Sequence, residues 1–441
     1  MIKKYIKMKV KLFFLNLILI PISSFLYAQS WSQLSTTGNP TERSNAASIY
    51  VQTGNSMIIF GGRTSTGNLN DVWSLNLNSN EWQNLTPSNG LMPAPRFTPN
   101  AIYDSLMNRM IIWSGQGLEL YNDVWSFNLS NNSWQELWPD GNVTGAPLKR
   151  YGTAAVFDPI NRRLVSFAGF TTSGRFEDTW YFQVDSLRWT ERTNSFHPEL
   201  RCLHSAYTTP DRTRMIIYGG QHNGALGDIW SLNLNTFIWT NNTPSIIPES
   251  RWFSPVVCTN LNYAIIFGGQ NSQTILGDLW KFSIDSMKWD SISQGLVKPT
   301  GRWGHTSIYI PASDKLIIFG GSDPAYKNDT WMFNNISSVG INNISTTIPG
   351  KFILYQNYPN PFNPVTKIKF DVTPNDKGQR SDVTLIVYDA LGKEVAILVN
   401  EKLLPGSYET EFDGRYLTSG VYFYKITNVN YVDSKKMFLL K

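Results

Sequence analysis

The stretch Met215–Trp239, MIIYGGQHNGALGDIWSLNLNTFIW, decides the architecture of this chain. It begins as a short apolar strand, Met215 to Tyr218, and stops at Gly219 and Gly220. Paired glycines let a backbone take positive φ at a strand end without a Cβ penalty. A polar loop follows, and Asp228-Ile229-Trp230 opens a second strand whose side chains alternate through Leu232 and Leu234. Alternation of period two marks a strand with one buried face. Trp239 comes nine residues after Trp230, a separation that places two large aromatics on the two strands of one hairpin, anchored in a common core.

The stretch recurs. Asp71-Val-Trp73, Asp123-Val-Trp125, Asp178-Thr-Trp180, Asp228-Ile-Trp230, Asp278-Leu-Trp280 and Asp329-Thr-Trp331 form one series, with Asp spacings of 52, 55, 50, 50 and 51 residues. Gly62, Gly115, Gly169, Gly220, Gly269 and Gly321 precede these acids by eight or nine residues. A second Trp follows at 82, 134, 189, 239 and 289, and an Arg opens the next unit at 96, 150, 201, 251 and 302. This period, glycine pair and tryptophan pair resemble the kelch repeat, and the resemblance implies one four-stranded propeller blade per unit. The sixth unit is short of a strand, because Gly340 stands where its second Trp belongs. Trp31 precedes Arg43 by twelve residues, the interval that separates Trp189 from Arg201. The expectation is an all-β fold: a six-bladed propeller closed by the N-terminal strand, followed by a small immunoglobulin-like β-sandwich. Closure of this kind removes exposed strand edges.

The chain of 441 residues divides into a signal peptide (1–28), the propeller (29–335), a polar linker (336–350) and a C-terminal domain (351–441). The first segment pairs a lysine-rich start with an apolar run from Leu12 to Ile20 and ends in Leu26-Tyr27-Ala28. No transmembrane segment is expected in the mature chain. The formal charge of +5 comes wholly from Lys3, Lys4, Lys7, Lys9 and Lys11, which leaves 33 basic and 33 acidic residues beyond them. Without a basic stripe, a nucleic-acid partner is not expected. Cys202 and Cys258 fall at different heights in neighbouring blades, too far apart for a disulfide, and are expected as buried free thiols.

In the C-terminal domain, strands at Val383–Tyr388 and Val421–Ile426 alternate with turn residues, and Pro359, Pro361 and Pro364 mark an edge segment. Tyr358-Pro-Asn-Pro-Phe362-Asn-Pro, Tyr388-Asp-Ala-Leu-Gly392, Leu404-Pro-Gly-Ser-Tyr408, Ser419-Gly-Val-Tyr-Phe-Tyr424 and the closing Lys435–Lys441 resemble the type A sorting domain of the Bacteroidetes type IX secretion system. The resemblance implies handling by that machinery and a secreted or cell-surface destination.

In a propeller the connections entering the innermost strand and those between the second and third strands share one face. Here they are the longer ones, such as Gln83–Pro95 and Gln135–Lys149. Function resides on loops of this kind above a rigid scaffold. Candidate ligand-binding residues on that face are Arg43, Arg96, Arg150, Arg201, Arg251 and Arg302, with Tyr121, Trp138, Trp252, Trp303 and Tyr326. Phe97 and Tyr151 also follow repeat arginines, and Phe176, Phe196 and His222 lie in the loops. Aromatic faces beside guanidinium groups suit sugar rings and carboxylates. The competing reading is architectural, with the arginines joining blades and the aromatics filling joints. The repeat Asp residues are expected to serve turns or backbone hydrogen bonds.

A copper site of the kind found in galactose oxidase, also a kelch propeller, would need a cysteine among the loops beside His197 and His222, and none is there. His204 and His305 sit at repeat positions. No cofactor and no catalytic set is recognised. The expectation is an exported binding protein for a glycan or protein partner. The alternatives are a carbohydrate-active enzyme on a galactose-oxidase-like propeller and a structural component of the cell envelope.

Overall fold

The computed structural model describes residues 29–260, 262–336, 342–345, 347–374, 381–414 and 417–441. The expected signal segment, 1–28, therefore lies outside the described residues. Every regular element among the described residues is a β-strand, gathered into eight four-stranded antiparallel sheets.

Six of these sheets are successive blades of the propeller. The fourth is representative. Ser205–Thr208, Arg214–Gln221, Ala225–Asn233 and Trp239–Asn241 pair in chain order, and the register shifts between Tyr218 and Gly220, where the glycine pair turns the strand. The sixth blade takes three strands from the end of the repeat region and its outermost from the N-terminus: Trp31–Leu34 pairs with Thr330–Asn334, with Trp31 opposite Phe333. The innermost strands of neighbouring blades lie side by side, and that of the sixth blade, Thr306–Ile310, returns to Ala47–Val51 of the first. The ring is closed.

The second tryptophan of each repeat performs a task different from the expected one. It reaches across to the preceding blade instead of serving only its own hairpin. Trp134 meets Phe60 at 5.2 Å between ring centroids, Trp189 meets Trp113 at 5.1 Å, and Trp239 meets Phe167 at 4.8 Å. Trp289 meets Tyr218 at 5.1 Å, Trp82 meets Phe319 at 4.7 Å, and Trp31 meets Phe267 at 5.1 Å. Trp31 therefore holds the same joint between blades five and six that the repeat tryptophans hold elsewhere, which explains why it is 97% removed from solvent with a relative exposure of 3%.

At the first position of the glycine pair, φ is positive throughout: Gly61 (65°), Gly219 (64°), Gly268 (62°) and Gly320 (68°), but also Ser114 (63°) and Ala168 (58°). Blades two and three thus carry side chains in a conformation that costs a non-glycine residue about 1–2 kcal/mol. A Cβ on Gly61 would stand 2.8 Å from the Arg96 carbonyl oxygen, so the glycine is there for a close backbone approach.

Both cysteines are free. Cys202 is fully buried, while Cys258 is partly buried and burial pushes its thiol up to about 12.

The remaining two sheets form a separate sandwich. One comprises Asn342–Ser345, Gly406–Asp413, Val365–Val372 and Ile353–Leu354; the other Glu394–Leu403, Ser381–Tyr388, Gly420–Thr427 and Val432–Leu439. Phe370, Leu385, Tyr424 and Met437 lie in the core between them. Asn342–Ser345, within the stretch read as linker, pairs with Gly406–Asp413 and so adds a strand to this sheet. The proline segment runs beside the edge strand: Phe362 N–H donates to the Phe438 carbonyl and Leu440 N–H to the Phe362 carbonyl.

Trp31→Ala removes a large buried ring from the closing joint and is expected to lower unfolding free energy by about 3–5 kcal/mol. Gln33→Ala, at an exposed position of the same strand, is expected to stay within about 0.5 kcal/mol of wild type. Urea denaturation followed by tryptophan fluorescence measures both; equal midpoints for the two variants would show that the strand does not close the ring.

Candidate functional site

The long-loop face is organised by six buried arginines. Each repeat Arg, no more than 1% exposed, places its guanidinium against the repeat Asp of its own blade. In blade five, Arg251 Nη1 donates to Asp278 Oδ1 at 2.6 Å and to the Gly268 carbonyl at 2.8 Å, Nη2 donates to Asp278 Oδ2 at 2.9 Å, and Nε donates to the Glu249 carbonyl at 2.9 Å. Trp280 Nε1 donates to Asp278 Oδ2 at 2.6 Å. The other five copies reproduce these contacts from Arg43, Arg96, Arg150, Arg201 and Arg302 to Asp71, Asp123, Asp178, Asp228 and Asp329. The first tryptophan of each repeat supplies the indole N–H in every blade.

The arginines expected at a ligand are therefore turned inward, onto partners of their own blades. Four of the five N–H donors of a guanidinium are spent inside the protein and the group is sealed from solvent. The repeat Asp residues likewise serve side-chain partners, not the backbone turns expected of them. Their backbone neighbours complete the joint: Arg96 N–H donates to the Leu69 carbonyl of the preceding blade, and its own carbonyl accepts from Gly62 N–H.

Burial pushes the Asp278 and Asp329 carboxyls up, but the adjoining guanidinium and indole N–H outweigh it and hold both below the ordinary 3.8. A carboxyl with a depressed folded pKa stabilises the fold fully above its unfolded value, and that contribution is lost as pH falls through the folded value.

Two residues past each repeat Arg lies the rim of the central channel. Asn45, Thr98, Gly152, Leu203, Phe253 and Gly304 all have φ between 51° and 63°. Asn45 N–H donates to the Gly304 carbonyl, Gly304 to Phe253, Phe253 to Leu203, Leu203 to Gly152, and Thr98 to Asn45. At the remaining joint, Asn100 Nδ2 donates instead to the Thr153 carbonyl at 3.1 Å. Beneath the rim lies a cavity of about 230 Å³ lined by Ala46, Ala101, Ser205, Ser307 and others. His204 and His305 also line it, and their rings stand edge-on to Phe167 and Phe267 at 5.7 and 5.5 Å. Burial first, and then Arg302, holds His305 down to about 3; burial and Arg201 hold His204 well below its usual range. Both are neutral spacers between blades.

The remaining candidates separate by exposure. Tyr121 is 7% exposed and lies under the Arg96 guanidinium at 4.2 Å, so it lines that joint rather than a ligand. Trp252, 8% exposed, is buried with Cys202 and Leu203. Trp138 is half-buried against Phe182 of the next blade, with its indole N–H buried and lacking a partner among the described residues. Tyr326 is half-buried in the loop of blade six, bridged to Ser322. Trp303 is half-buried and meets Phe253 at 5.2 Å with planes 34° apart.

His197 and His222 are not shown as a metal pair: His222 Nδ1 lies 3.3 Å from Glu199 Oε2, and His197 Nδ1 lies 2.9 Å from the Pro198 carbonyl. Among the described residues no group of three or more His, Cys, Asp or Glu side chains could hold a metal ion.

The structure adds residues that sequence reading passed over. Phe170 and Arg63 occupy the position after the second glycine, where blades two, four and five carry Gln116, Gln221 and Gln270. That departure from the repeat was the available signal. Phe97 meets Tyr151 at 6.0 Å and Tyr151 meets Phe170 at 5.5 Å, forming a partly exposed aromatic row across blades two and three. With Phe253 and Trp303 on blades five and six, the row forms an arc around the channel mouth.

Comparison with known proteins agrees with this architecture. The KLHDC2/KLHL20/DRC7 Kelch-repeats domain matches at residues 22–144, 86–260 and 256–350, and the Secretion system C-terminal sorting domain matches at 356–440. Host cell factor homolog hcf-1 of Caenorhabditis elegans is 31% identical over 199 residues, 40% of this chain and 25% of that protein. The leucine-zipper-like transcriptional regulator 1 homolog of Drosophila melanogaster is 29% identical over 43% of this chain and 20% of its own length. Kelch domain-containing protein 10 of Homo sapiens is 27% identical over 44% of this chain and 43% of its own. The chain thus spans less than half the length of each of these relatives.

Asp329→Asn leaves Arg302 without its anion. It is expected to destabilise the protein at pH 7 by about 3–5 kcal/mol and to show a smaller fall in melting temperature than wild type between pH 5 and pH 3. Thermal melts at several pH values check this; parallel pH profiles would deny the carboxylate its role in acid sensitivity.

Proposed function

Since the chain belongs to the kelch-repeat family and ends in a secretion-system sorting domain, we propose that it is an exported protein whose propeller binds a glycan or protein partner through the long-loop face. The sorting domain indicates export by the type IX system to the cell surface or beyond. No helix among the described residues is long and apolar enough to cross a membrane.

The observation that carries the binding reading is the aromatic arc. Phe97, Tyr151, Phe170, Phe253 and Trp303 are all partly exposed on one face around the channel mouth. None belongs to the Arg–Asp–Trp joint, so none is needed where it stands by the fold's central interaction. Aromatic side chains of this kind supply large contact area at low entropic cost and are enriched where proteins recognise partners. On the opposite face the turns are short and tied down by their own side chains, as where Asn233 Oδ1 accepts from Asn235 and Thr236 N–H.

Binding to the long-loop face is tested with the purified full chain on a glycan array and on a panel of cell-surface proteins, alongside Tyr151→Ala and Trp303→Ala. The expected result is a specific ligand whose affinity falls about tenfold or more in at least one variant while melting temperatures stay within a few degrees of wild type. Undiminished binding in both variants, with hydrogen-exchange protection confined to the short-turn face, would overturn the assignment.

A further inference from the structure

The aromatic row on blades two and three ends in a cation on each side. The Arg63 guanidinium lies over the Phe97 ring at 5.3 Å, and the Arg175 guanidinium lies over the Phe170 ring at 5.6 Å. Between them run the contacts Phe97–Tyr151 and Tyr151–Phe170. The order across the face is therefore cation, three aromatic rings, cation.

Neither of these two arginines has an acid beside it. Eight other cations of the long-loop face are neutralised within the protein: the six repeat arginines by their aspartates, Lys149 by Glu119 and Asp140, and Lys327 by Asp323 at 2.9 Å. Among the described residues neither Arg63 nor Arg175 has a carboxylate within ion-pair distance. Arg63 is exposed. Arg175 is half-buried, donates from Nη2 to Gln221 Oε1 at 3.0 Å, and its buried Nε finds no oxygen acceptor. A guanidinium that is drawn partly out of water and left without an anion is unfavourable, and its forked donors match a carboxylate.

At the foot of the row the channel rim is interrupted. The Thr98–Gly152 joint is the one without the backbone bond found at the other five, and Thr98 Oγ1 is buried without a hydrogen-bond partner. Three aromatic rings, 6.0 and 5.5 Å apart and inclined to one another by 51° and 63°, with guanidinium groups that lack a carboxylate partner at both ends, make one recognition surface.

The geometry points to an acidic polysaccharide, a chain of sugar rings bearing carboxylates, as the ligand of this row. The sugar faces lie on Phe97, Tyr151 and Phe170, and carboxylates pair with Arg63 and Arg175. This rests on the binding function proposed above and narrows it to one class of ligand and one sector of the mouth. Each charge-assisted contact is worth roughly 1.5–3 kcal/mol, which corresponds to a loss of about tenfold or more when it is removed.

The test uses the full chain in isothermal titration and affinity electrophoresis with polygalacturonate, alginate and hyaluronate, at low and moderate salt. Carboxyl-reduced polygalacturonate, dextran and poly-glutamate serve as comparison ligands. Binding to at least one acidic polysaccharide is expected, weakened about tenfold by carboxyl reduction, by Arg63→Gln and by Arg175→Gln, and weakened further by salt. Because Arg63 is exposed, Arg63→Gln is expected to leave the melting temperature unchanged, so its effect reads binding alone.

Failure of all three acidic polysaccharides to bind would overturn the inference. So would binding that survives Arg63→Gln, or Arg63-dependent binding of poly-glutamate without any acidic polysaccharide. A neutral glycan or protein that is lost in Tyr151→Ala but retained in Arg63→Gln would sink this inference and leave the broader binding function standing.

Discussion

A buried guanidinium is tolerable only when its donors are all but fully engaged, and six such groups hold this propeller together. Each repeat Arg ties its side chain to its own blade and its main chain to the preceding one. Removing two charges from water costs several kcal/mol per ion, and only close bidentate geometry with further hydrogen bonds offsets it. Carboxylate, carbonyl and indole N–H supply that geometry in every blade. The contact is accordingly less a source of net stability than a demand for one arrangement, because it fixes the arginine within its own blade while its main chain bonds to the blade before, as where Arg251 N–H donates to the Leu226 carbonyl.

The second constraint on the joint is steric. The Arg carbonyl approaches the preceding glycine pair so closely that a Cβ at Gly219 would stand 2.6 Å from the Arg251 oxygen. Further from the axis, the second tryptophan of each blade fills the widening gap against an aromatic of the blade before it. Charge pairing near the loops and aromatic packing further out therefore act on the same six joints, and Trp31 brings the last into line with the rest.

A scaffold so uniformly committed leaves function to the positions it does not need. The residue after each repeat Arg bridges to the residue after each glycine pair, and there the blades differ: Ser44, Phe97, Tyr151, Cys202, Trp252 and Trp303 in the first set, Arg63, Gln116, Phe170, Gln221, Gln270 and Ser322 in the second. Blades two and three carry rings that meet in a row, whereas Cys202 and Trp252 are covered. Asymmetry on a symmetric frame is what gives the face a chemical character.

The sequence alone determined the repeat, the closing strand and the second domain, because each depends on local spacing. A glycine pair, an Asp-x-Trp opening and a Trp nine residues on are set within a single hairpin, and Trp31 is legible because it repeats the interval from tryptophan to arginine. The strand at Asn342–Ser345 escaped, since three polar residues around a single Ile344 carry no alternation and gain their place only by pairing with Gly406–Asp413. The partner of each arginine lies 27 or 28 residues away, across a strand and a loop, so only the tertiary structure decided that those side chains point into the protein and not toward a ligand. The same holds for the row from Arg63 to Arg175: its members come from three blades, and nothing short of the closed ring brings their faces together.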